Sequence, residues 1–207
     1  MALIHDYFWP SDAMRIVGLD VEVTGINRGR DRITQFGLCG NYIPRQSVLV
    51  DPQTNTGNDP RRIKGITQSD ICNMRPIVHY LDMLYEALHG AIVVIHNQSH
   101  DMAFIHHEFE RHGRLSPVPD RVVCTLQIIR DMKLPGGRGL KTVLERYNVP
   151  VHNHHNAGDD AEAHFRLFIV LANRYWDEYM SHYFSREFQL NSRYFVRQNW
   201  LYRARLQ

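Results

Sequence analysis

The stretch GLDVEVTG, residues 18–25, sets two carboxylates, Asp20 and Glu22, in an otherwise apolar run. In an extended strand alternate side chains share a face, so both acids project together and repel unless a positive charge lies between them. A divalent cation would supply that charge; a solvated edge strand is the plainer alternative. A further acid, Asp101, lies in VVIHNQSHD, after an apolar run and at the opening of a helical pattern. Asp159 and Asp160 open another helical pattern in HHNAGDDAEAHF, with His155 just upstream. One acid in a first helical turn is ordinary, because it complements the macrodipole. The ordered set is not ordinary: a strand D-x-E, then H-N and an acid at a strand–helix turn, then H-x-A-x-x-D-A at a helix start. Carboxylate oxygens in such a set suit hard cations such as Mg²⁺ and Mn²⁺.

The elements that must position these groups can be read from periodicity. RIVGLDVEV, RITQFGLCG and SVLVDP are extended segments joined by short polar turns, which predicts an antiparallel meander. PIVHYLDMLYEALHG places Ile77, Tyr80, Leu81, Leu84 and Leu88 at helical spacing and closes on Gly90. AIVVI reads as a strand buried on both faces. DMAFIHHEFERHG, TLQIIRDMKL and LKTVLERYN read as helices, the last two around a PGGRG loop. GDDAEAHFRLFIVLANRYW is a long helix expected to bury Ala161, Phe165, Phe168 and Ala172. Strands early and helices interleaved later predict a mixed sheet covered by helices.

With 207 residues and 43% hydrophobic content, the chain can build one ordinary core plus an appendage. A net charge of +2 is too small for a general polyanion binder, so any such contact must come from a local patch. Cys39, Cys72 and Cys124 are odd in number and widely spaced, which fits buried thiols in a reducing compartment. The opening MALIHDYFWPSD lacks a signal-peptide pattern, and no apolar run approaches the ~20 residues of a membrane span. The expectation is a cytoplasmic protein with no membrane partner.

The ordered motifs resemble the DEDDh (DnaQ-like) exonucleases, the superfamily of the proofreading subunit of bacterial replicative polymerases. Over residues 15–172, DVEVTG stands where the family has D-x-E-T-T-G, HNQSHD where it has H-N-x-x-F-D, and HNAGDDA matches H-x-A-x-x-D-A. IKGIT, CTLQIIR and GLKTVLERYNVP follow the family's order between them. Two departures stand out: Val23 replaces the first threonine, keeping a β-branched shape, and His100 replaces a phenylalanine beside the motif II acid.

The resemblance implies an RNase H-like α/β fold, a mixed five-stranded sheet with helices on both faces. It implies a 3′–5′ exonuclease that releases nucleoside 5′-monophosphates from nucleic acid with a free 3′ end, single-stranded DNA first and RNA as the alternative. Phosphodiester hydrolysis needs an activated water and a neutralised leaving oxygen, and two Mg²⁺ or Mn²⁺ ions ~4 Å apart supply both. By the same resemblance Asp20 bridges the ions, Glu22 and Asp160 complete the water-activating site, Asp101 supports the other ion, and His155 is the general base. Val23, Thr24, Gly25, His96, Asn97 and His100 are the implied substrate-binding residues. A binding module of the same fold that no longer cuts is the rival from another class, and it would have no need of all five catalytic groups.

Plainer readings hold elsewhere. A zinc site built from HNHH and IHNQSHD would leave the D-x-E strand unexplained. His106, His107 and His112 read as a solvated helix face, His164 as a partly exposed helix residue, and Asp159 as a capping or supporting acid. Residues 1–174 form the expected domain. The extension 175–207 interleaves aromatics with arginines, which suits packing on that domain, single-stranded nucleic acid, or a protein partner or self-association.

Overall fold

The computed structural model describes residues 15–54, 66–96, 98–150 and 155–175. The amino-terminal stretch, part of IKGIT, Asn97, His152, His154 and the tail from 176 onward lie outside the described residues.

Strands β1 (Ile16–Val23), β2 (Ile33–Gly40) and β3 (Gln46–Leu49) form the expected antiparallel meander. Strands β4 (Ile92–Ile95) and β5 (Arg121–Cys124) add in parallel to β1, giving the order β3-β2-β1-β4-β5. The segment RVVC of β5 is not among the strands that periodicity marks, because it runs straight into a helix with no turn residues to set the two apart.

Helices α1 (Gln68–Ile71), α2 (Leu81–Leu88), α3 (Gln98–Arg111), α4 (Thr125–Asp131), α5 (Leu140–Tyr147) and α6 (Ala157–Tyr175) cover the sheet. A 3-10 turn, Ile77–Tyr80, leads into α2, so the helix expected from residue 76 starts in a tighter form. Gly90 and Gly113 end α2 and α3 with positive φ, where an L side chain would be strained.

Alternation along β1 divides the core. Val17, Leu19, Val21 and Val23 pack with Phe36, Leu38, Leu81, Leu84, Phe104 and Phe109 under α2 and α3. Ile16 packs on the other face with Val143, Leu144, Phe165 and Phe168 under α4, α5 and α6. Each fully buried Leu, Ile or Phe contributes about 1.5–3 kcal/mol. The helices therefore lie on both faces of the sheet, and β4, covered on both sides, is apolar throughout.

Two glycines let α6 lie directly on the strands. A Cβ at Gly18 would come within 2.0 Å of the Ala161 carbonyl oxygen, and one at Gly37 within 1.9 Å of that of Ala157. This close approach brings the first turns of α6 beside the acids of β1.

The three cysteines are free. Cys124 is buried; Cys39 is half-buried, and burial pushes its thiol up to about 11. Cys72 is exposed, against the expectation of a buried thiol, because it caps the short exposed α1. Among the described residues no helix is long and apolar enough to cross a membrane.

Candidate active site

On β1 the face toward α6 carries Ile16, Gly18, Asp20 and Glu22 in succession, so the core becomes a polar site along a single strand. Pairing of β1 with β4 runs only from Ile16↔Ile92 to Gly18↔Val94, while its pairing with β2 continues to Val23. Asp20 and Glu22 therefore extend past the end of β4, where the sheet changes from antiparallel to parallel. Crevices at such switch points, beyond the carboxyl ends of parallel strands, are where ligands collect in α/β sheets.

The cleft there has a volume of about 700 Å³ and receives Asp20, Glu22, Asp101, His155 and Asp160. Asp101 comes from the first turn of α3, Asp160 from the first turn of α6, and His155 from the residues just before it. Glu22, His155 and Asp160 each offer a ligand atom, and these atoms lie within 4.8 Å of one another. His155 Nδ1 stands 4.0 Å from Glu22 Oε1. The main-chain N–H of His155 donates to Asp160 Oδ2 over 3.1 Å, which orients that carboxylate. His155 has a φ of +69°, a left-handed conformation that histidine tolerates better than most non-glycine residues. The loop is thus a turn at this residue, not an extended segment.

The start of α6 is anchored by neighbouring polar groups. Asn156 Oδ1 accepts the N–H groups of Gly158 and Asp159 at 3.1 and 3.3 Å, as an N-cap does. Gln35 Oε1 accepts the Ala157 N–H at 3.0 Å, and Gln35 Nε2 donates to Ser47 Oγ at 3.0 Å. Asp159 pairs with Arg45 and does not line the cleft, in keeping with the expected supporting part.

Of the residues implied to touch substrate, Val23, Gly25, His96 and His100 line the cleft. Thr24 does not. Its hydroxyl accepts the Arg32 N–H at 3.0 Å and lies 3.3 Å from Asp31 Oδ1, so it closes the loop after β1. The register of the ladder slips after Glu22, where Gln35 faces Glu22 and Ile33 faces Val23, so the extra residue, Thr34, is on β2. Gly25 packs against Asp31, whose Oδ2 a Cβ would meet at 2.4 Å. The same loop is tied to α3 through Glu108, 1% exposed, which accepts from Arg32 Nε and Nη2 at 2.8 and 2.9 Å and from Arg111 Nη1 at 3.0 Å.

His96 bridges two elements. Its Nε2 is 2.9 Å from the Arg138 carbonyl oxygen, which can only accept, so Nε2 carries a proton, and its Nδ1 lies 2.9 Å from the Thr125 hydroxyl, which also reaches the Ile95 carbonyl oxygen at 3.2 Å. Burial holds this imidazole below its ordinary range. The bond to Arg138 holds the loop whose next residues, with Leu140, Lys141 and Thr142 of α5, form the opposite wall. Lys141 brings a positive charge to a cleft otherwise rich in acids.

His164 corrects an expectation. It is 1% exposed, not a partly exposed helix residue, because α6 is buried nearly all round its first half. Its Nδ1 is 3.0 Å from the Leu19 carbonyl oxygen and its Nε2 is 3.9 Å from Asp20 Oδ1. Burial, and then the nearby His96 ring, push it down to about 3. Sequence inspection missed it as a site residue, although it lies four residues after Asp160 and so shares its helix face. Ile26, 87% exposed at the mouth of the cleft, was also missed.

A mixed five-stranded sheet with acids gathered at its switch point is the RNase H-like architecture of nucleases that use divalent cations. The chain belongs to the RNase_T family of exonucleases, whose profile matches residues 17–168. The PolC-type DNA polymerase III of Streptococcus thermophilus is 29% identical over 181 residues, 85% of this chain and 12% of that protein. The chain thus spans about an eighth of the length of this relative. Among solved structures, E. coli exonuclease I in complex with a dT13 oligonucleotide superposes with a TM-score of 0.69 at 14% identity, over 81% of this chain and 43% of that one. The nuclease domain of 3′hExo, a DEDDh family member bound to rAMP, gives 0.61 at 15% identity over 75% and 90%. S. pombe Pop2p in a form with Mg²⁺ and Mn²⁺ bound gives 0.61 at 16% over 80% and 86%. The donor set at the cleft, carboxylate oxygens of Glu22 and Asp160 with a ring nitrogen of His155 within 4.8 Å of one another, fits a divalent cation.

Proposed function

We propose that this chain is a metal-dependent 3′–5′ exonuclease that removes nucleoside 5′-monophosphates one at a time from the free 3′ end of single-stranded nucleic acid, DNA before RNA. The observation that carries the reading is the grouping of Glu22, His155 and Asp160 within 4.8 Å in the cleft that also receives Asp20 and Asp101. Asp20, Glu22, Asp101 and Asp160 would hold two Mg²⁺ or Mn²⁺ ions. When bound, these ions supply an acidified water and neutralise the charge that develops on the leaving oxygen.

The residues of the chain perform the remaining steps. His155, whose ring stands 4.0 Å from Glu22 Oε1, takes the proton of the attacking water. Val23, Gly25 and His100 frame the terminal nucleotide, with Asn97 beside them in the sequence. Thr24 and His96 act through the loops they hold. Lys141 faces the phosphate backbone across the cleft. Preference for DNA draws support from the likeness to a DNA polymerase and to an exonuclease bound to oligo-dT; trimming of RNA ends is the other outcome of the test. The nuclease domain runs over residues 1–174, with 175–207 as an extension. The free cysteines suit the cytoplasm, where proofreading or repair of DNA ends would use the activity.

The test is digestion of matched single-stranded DNA and RNA, end-labelled or covalently closed, with Mg²⁺ or Mn²⁺ against chelator. Metal-dependent shortening from the 3′ end with intact circles is expected. Cutting of circles, or no turnover with either metal, would overturn the reading.

A further inference from the structure

We propose that His164 is a nitrogen ligand of the cation held by Asp20, and that it biases the cleft toward a first-row transition ion over Mg²⁺. The inference rests on the metal-dependent reading above and adds to the acids a ligand of different chemistry. The Leu19 carbonyl, 3.0 Å from Nδ1, can only accept, so in the neutral ring Nδ1 carries the proton and the lone pair is on Nε2. That nitrogen is buried, has no hydrogen-bond partner, and lies 3.9 Å from Asp20 Oδ1, beyond hydrogen-bond reach.

An imidazole lone pair facing a carboxylate in a buried site is unfavourable unless something electropositive lies between them. The gap is near the size a cation fills: two metal–ligand bonds of about 2.0–2.2 Å each reach across 3.9 Å at an N–metal–O angle of roughly 125–155°, and closure by about half an ångström brings it to the tetrahedral angle. The ring is already arranged as metal-bound histidines are, its other N–H given to a main-chain carbonyl that fixes tautomer and orientation. That carbonyl belongs to Leu19, so the strand segment that presents Asp20 also aims His164. The side chain has little room to turn away: it is 1% exposed, and the His96 ring stacks at 6.1 Å. Mg²⁺ prefers oxygen and water, whereas imidazole nitrogen suits Fe²⁺, Ni²⁺, Cu²⁺ and Zn²⁺; Mn²⁺, the most oxygen-seeking of the series, is the paramagnetic member that reports a bound nitrogen.

Mn²⁺ is the probe, added to the full chain after chelator treatment and followed by pulsed EPR for directly bound ¹⁴N. Nitrogen modulation is expected in the wild type and in His155→Ala, and its loss in His164→Leu and His164→Gln. In those two variants Mn²⁺ affinity should fall on the order of tenfold or more, with Mg²⁺ affinity little changed. A thermal melt checks that they fold; if they do not, modulation kept in both His155→Ala and His100→Leu leaves His164 as the nitrogen, since both nitrogens of His96 are hydrogen-bonded, and its loss in His100→Leu overturns the inference. Mn²⁺ bound at Asp20, and lost in Asp20→Asn, but without nitrogen modulation overturns the inference and leaves the exonuclease reading standing. So does modulation lost in His155→Ala. Failure of Mn²⁺ to bind at all overturns both.

Discussion

The main-chain N–H of Ala157, the first residue of α6, donates to the side-chain oxygen of Gln35 on β2 over 3.0 Å. Gln35 faces Glu22 across the β1–β2 ladder, so one residue sets the distance between the strand that carries Glu22 and the turn that carries His155 and Asp160. Its Nε2 continues to Ser47, whose hydroxyl donates to Asn156 Oδ1 at 3.0 Å. Gln35→Met keeps the shape and loses both bonds. The expected outcome is a loss of about 1–2 kcal/mol in a chemical melt and a fall in kcat of ~10²-fold from misplacement, with KM nearly unchanged. A lower melt with unchanged kcat would show that the bond stabilises α6 without positioning the site.

Asp20 is expected to matter for turnover and not for folding. Its carboxylate shares the cleft with three other acids, so removing one negative charge relieves repulsion in the metal-free protein. Asp20→Asn should melt at or above the wild-type temperature in chelator, while its rate falls at least ~10²-fold, the scale of losing a metal's stabilisation. Retention of more than about a tenth of the rate would remove Asp20 from the proposed metal ligands.

Acid should destabilise the metal-free fold in a window set by two buried histidines. Burial lowers both His96 and His164, the latter to about 3, from an ordinary value of 6.5. Above pH 6.5 neither folded nor unfolded rings are charged and the groups contribute no slope. As pH falls below 6.5 the unfolded rings take protons that the folded rings refuse, so stability drops by up to about 1.4 kcal/mol per pH unit for each. For His164 the drop continues toward pH 3. Chemical melts in chelator between pH 7 and 4 should show this slope, and His164→Gln should remove one proton's share of it. An unaltered slope in that variant would mean that the ring is already protonated in the folded protein.

Much of this could be read from the sequence where one periodicity dominates. The alternation of IVGLDVEV gave the strand and the shared face of Asp20 and Glu22. The helical spacing of α2 with the turn before it, and of α6, gave Ile77, Leu81, Leu84, Leu88, Ala161, Phe165, Phe168 and Ala172, all of them buried, and Tyr80, which is half-buried against the same core. Features that depend on a neighbour were not legible. Strand β5 is recognisable only because β4 offers it a parallel edge. Thr24 would share the acid face by simple alternation, but it lies past the end of β1 and its hydroxyl is held by Asp31 and the Arg32 N–H instead. His164 is polar and so falls outside an apolar pattern; only the Gly18 and Gly37 contacts, which press α6 onto the sheet, show that its position is interior. Aromatic and arginine residues of the extension after 175 lie outside the described residues, and their expected packing remains a proposal.

Which histidine of HNHHNAGDD is the base turns on the backbone before α6. An extended loop would separate His154 and His155 by simple alternation, but the structure has a left-handed turn at His155, with φ +69°. That turn lets the His155 N–H reach Asp160 Oδ2 at 3.1 Å while its ring stands 4.0 Å from Glu22. Backbone and ring of the same residue thus touch both acids proposed for the water-activating position. His155→Ala should lower the rate by ~10²- to 10⁴-fold, the usual worth of a positioned general base, with Mg²⁺ affinity little changed. His154→Ala should be mild. The wild-type pH–rate profile should lose activity on its acid side as the base takes up a proton, and this limb should be missing in the residual activity of the His155 variant alone. If His154→Ala proves to be the crippled variant, the match of HNAGDDA is off by one residue, and Asp159 must be tested in place of Asp160 by the same metal-binding measurement.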